Sequence, residues 1–284
     1  MPRTGSNYAA DLHLHTRFSD GIETPERVVE LAKAAGLSTL AITDHDNTEA
    51  FAVAEPVARR LGLELLTGIE MSASAGGAEV HLLGFLIDVR NPALVSHLTE
   101  QQARRVARVH EMVARLGRIG VRIEAKEILE LAGEGTVGRP HVARVLLKHG
   151  YISSLPEAFT KYIGPDNPGF VSGSPIAPSH IISVILGAGG VPVLAHPIYL
   201  KNDALIDEFA AQGLAGIEAY HSGHTPEAVR RYEAIADRLK LVKTGGSDYH
   251  GDSKEGAPIG AVKVPGELID ELKARKAILA AGVR

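Results

Sequence analysis

Apolar and polar positions follow two periods along this chain. Short, continuously apolar runs of buried-strand character occur near residues 8–14, 38–43, 63–69, 79–87, 191–195, 215–219 and 241–244. Most are followed by stretches whose apolar residues recur three and four apart. In PERVVELAKAAG (25–36), Thr24 and Pro25 supply an N-cap and a first helical residue, and Gly36 supplies a stop. Similar signals predict helices over 47–61, 176–188, 202–212, 226–239 and 266–281. Strands alternating with helices of this length predict an α/β fold with a mostly parallel sheet covered on both faces, closed into a barrel or distorted barrel.

Residues 91–165 break that rhythm. A long helix over roughly 92–118 is followed by shorter helical pieces and no convincing strand, so the segment reads as an inserted helical lid. The expected organisation is a barrel domain built from 1–90 and 166–284, with the lid subdomain over 91–165.

At 284 residues and 45% hydrophobic content the chain can bury a large core. A formal net charge of -4 removes any global attraction to nucleic acid or membranes. The charge is uneven, however: the lid holds eleven Lys and Arg against seven Glu, a formal +4, which leaves -8 for the remainder. A basic lid over an acidic body suggests an anionic substrate held between them. Within it, RRVARVHEMVARLGR (104–118) reads mainly as a solvated charged helix face. The N-terminal stretch MPRTGSNYAADL lacks an apolar leader, and no run of 18 apolar residues occurs, so the expectation is a cytoplasmic protein with no membrane partner. Zero cysteines exclude disulfides, thiolate zinc sites and thiol nucleophiles.

The chemistry lies in the thirteen histidines. In DLHLHTRFSDG (11–21), residues two apart on an extended strand share a side at ~6.6 Å, so His13 and His15 can converge on one small object, with Asp20 close behind. After AIT comes Asp44-His45; LLTGIE ends in Glu70; EVHLLG carries His81; VPVLAHP ends in His196; KTGGSDYHG carries Asp248 and His250. Metal-type residues thus recur at strand ends, which in a parallel barrel form one face, the face where such folds build active sites. Six histidines and three carboxylates exceed the needs of a single ion and suggest two or three ions sharing a bridging carboxylate, for which Glu70 is the candidate. Nitrogen and carboxylate donors without thiolate suit manganese, zinc or iron better than magnesium. Three divalent ions against three carboxylates leave positive charge that a phosphate would neutralise.

These motifs (HLHTxFSDG, TDH, GIE, EVHLLG, AHP and SDYH) resemble those of the polymerase and histidinol phosphatase (PHP) family of metal-dependent phosphoesterases, over most of the chain outside the lid. The resemblance implies a distorted (β/α)7 barrel and a trinuclear site, with manganese foremost among the candidate ions. It implies His13, His15, Glu70 and Asp248 around one ion, Glu70, His81 and His196 around a second, and Asp20, His45 and His250 around a third. TVGRPHVARVLLKHG (136–150) resembles the branch that dephosphorylates 3′,5′-nucleoside bisphosphates, whose relatives degrade short 5′-phosphorylated RNA from the 5′ end. There, Gly138 permits a tight turn, Pro140 suits a first helical turn, and Arg139 and His141 would meet an anion at a helix start.

The expected reaction is hydrolysis of a phosphoester by hydroxide generated at the ions, chiefly release of the 3′-phosphate of a 3′,5′-nucleoside bisphosphate. His196, His221 or a metal-bound water could protonate the leaving group, and Asp44 would orient an imidazole or water. The alternatives are 5′-3′ hydrolysis of short RNA, with Tyr151, Phe159 and Tyr162 as stacking partners, histidinol phosphate hydrolysis, and a metal-stabilised module that only binds. His97, His110, His149, His180 and His224 read as surface residues.

Overall fold

The computed structural model describes residues 9–173, 175–200, 202–251 and 256–282. Each predicted apolar run forms a strand: β1 (Ala9–Leu14), β2 (Thr39–Ile42), β3 (Glu64–Ala75), β4 (Ala78–Phe85), β5 (Val191–Leu194), β6 (Gly216–His221) and β7 (Val242–Gly246). Residue 8 of the first run lies outside the described residues. A two-residue β8 (Val264–Pro265), not foreseen from the pattern, pairs antiparallel with β1. The sheet order is β7-β6-β5-β4-β3-β2-β1-β8. Beyond β1, His15 N donates to Tyr249 O at 2.9 Å and Leu14 bridges to Tyr249, so the two sides of the sheet meet and the barrel nearly closes.

The helices are α1 (Pro25–Ala34), α2 (Ala50–Leu61), α3 (Pro92–Arg118), α4 (Ala125–Ala132), α5 (Arg139–Lys148), α6 (Leu155–Ala158), α7 (Pro178–Gly187), α8 (Ala204–Ala211), α9 (Pro226–Leu239) and α10 (Gly266–Ala280). Their starts are written locally. Thr24 Oγ1 accepts from Arg27 N at 3.2 Å, Thr225 Oγ1 from Ala228 N at 3.2 Å, and Asn91 Oδ1 from Ala93 N at 3.0 Å, each with proline next in the chain.

Burial follows the layers. Leu14, Val28, Leu40 and Val57 pack α1 and α2 on β1 and β2, while Ile69, Leu82, Ile185 and Tyr232 belong to the core between the other strands and α3, α7, α8 and α9. Leu12, Leu83 and Val193 form a further cluster with Ile269 and Leu272 of α10. Helix α10 crosses the barrel end away from the strand C-termini, where Lys276 Nζ donates to Leu86 O and Lys273 pairs with Glu64. Val109, Met112, Val142, Leu146 and Ile163 build a separate cluster among α3, α4, α5 and the turn after α6.

Besides the short β8, the sheet departs from the parallel expectation at one strand. β4 runs antiparallel to both β3 and β5, whereas β1, β2 and β3 are mutually parallel, as are β5, β6 and β7. β3 is also longer than predicted because MSAS continues it above the rim, and Gly76-Gly77 turn it back into β4. Both glycines have positive φ (57° and 81°), which a two-residue hairpin with correctly twisted strands requires. Reversal makes β4 end at the base of the barrel, so α3 begins there and climbs its full length. Its 27 residues span about 40 Å. Along the climb α3 runs beside α7: Asn91 Nδ2 donates to Gly187 O, and the His97 and His180 rings lie 5.4 Å apart. His97 is therefore buried between helix and barrel, contrary to its reading as a surface residue.

Candidate metal centre and substrate cavity

Glu70, buried in β3, is the hub. Its Oε2 lies 3.2 Å from His13 Nε2, 3.2 Å from His15 Nε2 and 3.3 Å from His45 Nδ1, and its Oε1 lies 2.8 Å from His81 Nδ1 and 2.9 Å from His196 Nε2. Asp248 Oδ1 is 3.2 Å from His15 Nε2 and 3.4 Å from His13 Nε2. Asp20 is 3.2 Å from His250 Nε2 and 3.7 Å from His45 Nε2. All nine candidate metal ligands thus share one pocket. Seven follow or end strands that point to this face; Glu70 sits midway along β3, and His81 in the first half of β4, where only the reversal of that strand brings it here.

Three sets of donor atoms lie within 4.8 Å of one another: His13, His15, Glu70 and Asp248; His15, Asp20, His45 and His250; and His45, Glu70 and His81. The first matches the set implied by resemblance, and the second adds His15 to its third set. In the last, His45 takes the place given to His196, although His196 reaches the same Glu70 oxygen as His81. His15 Nε2, His45 Nδ1 and His81 Nδ1 face Glu70 from full burial yet make no hydrogen bond. Buried imidazole nitrogens converging on a carboxylate without hydrogen-bond partners fit divalent ions between them. Burial opposes charge on Glu70, but the surrounding imidazoles of His45, His13 and His81 hold its carboxyl well below the usual range.

The supports of this cluster were largely missed by sequence reasoning. Glu218, fully buried in β6, accepts from His13 Nδ1 at 3.0 Å and from His196 N at 2.8 Å. Asp11 accepts from Ser247 N at 2.9 Å and Gly260 N at 2.8 Å, fixing the loop that presents Asp248; burial raises its pKa to about 6. The signal for both was present as a carboxylate inside an apolar strand run. His196 (φ 26°) and Asp248 (φ 55°) occupy left-handed backbone, so strain is concentrated where the ligands are presented.

The expected catalytic residues divide. His196 points at Glu70. His221 Nδ1 accepts from Gly223 N at 3.0 Å, which leaves Nε2 as donor toward Asp248 Oδ2 at 3.4 Å. Asp44 meets neither an imidazole nor open space: it accepts from Thr16 N at 2.7 Å, Thr16 Oγ1 at 2.6 Å and Ser19 Oγ at 2.6 Å, and so shapes the loop behind His15.

The lid corrects several expectations. Arg105 is no solvated helix residue. Its guanidinium pairs with buried Asp46 at 2.6 Å and donates to Ser72 Oγ at 2.9 Å, which locks α3 to the barrel rim. Arg139 pairs with Glu79 at 2.8 Å and lies over the Phe159 ring. Gly138 is extended (φ -146°) rather than tightly turned, and His141 folds back so that its Nδ1 accepts from Gly138 N at 3.1 Å. His141 is thus a buried cap of α5 outside the lining of the cavity over the cluster, and burial lowers its pKa to about 4. Tyr151, Tyr162 and Phe159 all pack on the lid's own core, and of the three Phe159 lines the cavity over the cluster.

Between lid and cluster lies a cavity of about 100 Å³, lined by Asp20, His45, His81, Arg105, Arg108 and Arg139. A second cavity of about 210 Å³ opens beside His81 and His196, with walls of Val80, Leu194, Leu200 and the exposed Tyr199. Arginines facing an imidazole and carboxylate cluster across a narrow gap define a metal-dependent phosphoesterase site.

Comparison with known proteins agrees with this class. The PHP domain profile matches residues 11–149. A 3′,5′-nucleoside bisphosphate phosphatase of Chromobacterium violaceum is 35% identical, the match covering 88% of this chain and 90% of that protein. The 5′-3′ exoribonuclease Rnm of Escherichia coli is also 35% identical, over 86% of this chain and 87% of its own. The crystal structure of a Bifidobacterium adolescentis protein described as a metal-dependent phosphoesterase superposes with a TM-score of 0.87 at 34% identity, covering 94% of this chain and 96% of its own. The chain belongs to the PHP family and is a phosphoric ester hydrolase. Among its described residues no helix is long and apolar enough to cross a membrane.

Proposed function

We propose that the protein removes the 3′-phosphate of 3′,5′-nucleoside bisphosphates, using two or three divalent ions, manganese foremost, with zinc or iron as alternatives. The observation that carries this reading is the narrow cavity in which Arg139, Arg105 and Arg108 of the lid oppose His45, His81 and Asp20. A cavity lined on one side by guanidinium groups suits a small, multiply charged phosphate ester better than a neutral one.

His13, His15, Glu70 and Asp248, with His81, His196, His45, Asp20 and His250, would hold the ions. When bound, the ions supply Lewis-acid charge and lower the pKa of water at the site. Glu218 keeps the ring of His13 and the backbone of His196 fixed, so the donors stay preorganised. Arg139 would grip phosphoryl oxygens from the lid side, exchanging part of its contact with Glu79 for substrate. The apolar wall with Tyr199 offers a face for the base. The proton on His221 Nε2 is directed at Asp248, so His221 acts here by orienting that carboxylate.

The test compares phosphate release by manganese-loaded protein from 3′,5′-adenosine bisphosphate, AMP, histidinol phosphate and a 5′-phosphorylated trinucleotide. Preference for the bisphosphate, lost in Arg139→Ala more than the activity on an aryl phosphate is, supports the reading; equal losses refute it. A second reading, 5′-3′ hydrolysis of short 5′-phosphorylated RNA, is favoured by one observation: the narrow cavity shares Ser72, Glu79, Arg105 and Arg108 with a larger groove beside it.

A further inference from the structure

That groove, of about 460 Å³, shares Ser72, Glu79, Arg105 and Arg108 with the cavity over the cluster and leads away from it between α3 and Val171, Ser172 and Gly173. Arg104 and Arg108 line its α3 side, one turn apart on the helix. The arginines along it differ in how far their charge is already met. Arg105 is committed to Asp46 and Arg139 to Glu79. Arg108 is met less closely: its Nε donates to Val171 O at 3.0 Å and its Nη2 is buried without a hydrogen-bond partner, and although the Glu79 carboxylate that pairs with Arg139 also acts on it, it makes no direct ion pair among the described residues. Burial lowers its pKa to about 10, which still leaves it cationic. Arg104, exposed at the mouth, likewise forms no ion pair among the described residues. A buried guanidinium N–H with no acceptor, on a side chain that lines the groove, favours an anion there.

We propose that this groove is the subsite for strand continuation, in which Arg108, with Arg104 at the mouth, binds the phosphodiester that follows the nucleotide at the metal cluster. It rests on the second reading above, in which the substrate is a short 5′-phosphorylated RNA. The geometry suits a continuing chain: the groove shares Arg105 and Arg108 with the reacting cavity, and its wall at Gly173 is backbone without a side chain. Phosphate is the shared chemistry of two sources, the next phosphodiester of a strand and the far phosphate of a single bisphosphate. Length dependence separates them.

The experiment measures binding of a 3′-fluorescein-labelled, 5′-phosphorylated tetranucleotide by anisotropy across a salt series, alongside KM for that oligonucleotide and for 3′,5′-adenosine bisphosphate. Proteins compared are the wild type, Arg108→Gln, Arg104→Gln and Arg108→Lys. Arg108→Gln is expected to weaken tetranucleotide binding about tenfold, as for one lost charge-assisted contact. Each glutamine substitution should flatten the slope of log K against log salt by about 0.7, the single-strand value per phosphate contact. Arg108→Lys should restore most of that slope. The rise in KM should be at least fivefold greater for the tetranucleotide than for the bisphosphate. An equal rise for both assigns the groove to the far phosphate of a single nucleotide and overturns the proposal. Tetranucleotide binding unchanged by either glutamine overturns it whatever the activity. Arg104 tests the same subsite without the Arg108–Val171 contact, so a folding defect in one variant does not decide the result. Failure of the wild type to cleave RNA, with arginine-dependent binding intact, refutes the hydrolytic reading and leaves the subsite standing.

Discussion

Glu218 Oε1 lies 3.0 Å from Nδ1 of His13, both fully buried, and through this contact a residue of β6 sets the direction in which a residue of β1 presents its Nε2 to Glu70. The other oxygen of Glu218 holds the backbone of His196 in its left-handed conformation. Glu218→Gln keeps the volume but removes the charge that fixes the His13 tautomer. Manganese affinity is expected to fall about 10- to 100-fold, as when carboxylates behind a ligand are removed, with the far-ultraviolet circular dichroism unchanged. Isothermal titration with Mn²⁺ reads the change; a wild-type affinity would count against the role.

Chelation gives the second prediction. Buried imidazoles without partners and buried carboxylates destabilise the fold unless an ion joins them. Dialysis against EDTA should lower the melting temperature, and Mn²⁺ at a hundredfold excess over Kd should return about 2.7 kcal/mol. In Glu70→Gln the response to Mn²⁺ should largely vanish, because five imidazoles lose their shared carboxylate.

Much of this centre could be read in advance, because strand-end histidines and acids in a parallel barrel have one place to meet. Its supports could not. Glu218 and Asp11 lie within strand runs whose apolar neighbours dominate the pattern, and only register shows that they face His13, Ser247 and Gly260. The direction of β4 was signalled by Gly76-Gly77, but the polar MSAS before it reads as loop until pairing with β4 extends β3. Charge on α3 read as a solvated face because sequence shows that Arg105 is cationic and not that Asp46 is buried opposite it.

The Arg105–Asp46 pair supplies the third prediction. Both partners are nearly inaccessible, at 14% and 2% side-chain exposure. Removing one leaves the other buried and unpaired, at a cost of about 3–5 kcal/mol. Asp46→Ala should lower stability to urea by that order and expose α3 to limited proteolysis. Replacing both residues should cost less than replacing Asp46 alone, a double-mutant cycle that a purely local effect of Asp46→Ala would fail.

Acid should loosen the lid through His141. Its folded pKa of about 4 lies below the ordinary 6.5 because burial disfavours the charged ring, and its Nδ1 must stay unprotonated to accept from Gly138 N. Below pH 6.5 the unfolded chain takes up a proton that the folded chain refuses. Stability is therefore complete above about pH 6.5, falls as pH drops toward 4, and levels off beneath, by an amount on the order of 3 kcal/mol. His141→Asn, which retains an acceptor and does not titrate, should flatten this part of the urea-stability profile relative to wild type.

Tyr199 gives the fifth prediction. It is 58% exposed, with its ring 5.3 Å from that of His196, at the edge of the apolar cavity. Tyr199→Ala should raise KM for 3′,5′-adenosine bisphosphate by roughly tenfold, in the range of one lost base-stacking contact, and hardly change it for a ribose phosphate without a base. Equal effects on both would remove the aromatic ring from base recognition.

The antiparallel course of β4 separates inheritance of chemistry from inheritance of selectivity. Because that strand sends the polypeptide to the far pole, the arm reaching back to Asp46 is anchored in the barrel wall, and the helices beyond Arg118 rest on the barrel again where Thr136 N donates to Phe18 O and Arg144 to Asp20 O. Exchanging those helices for others of different shape would retune which esters are admitted, on condition that the new ones keep a seat on the loop that presents Asp20.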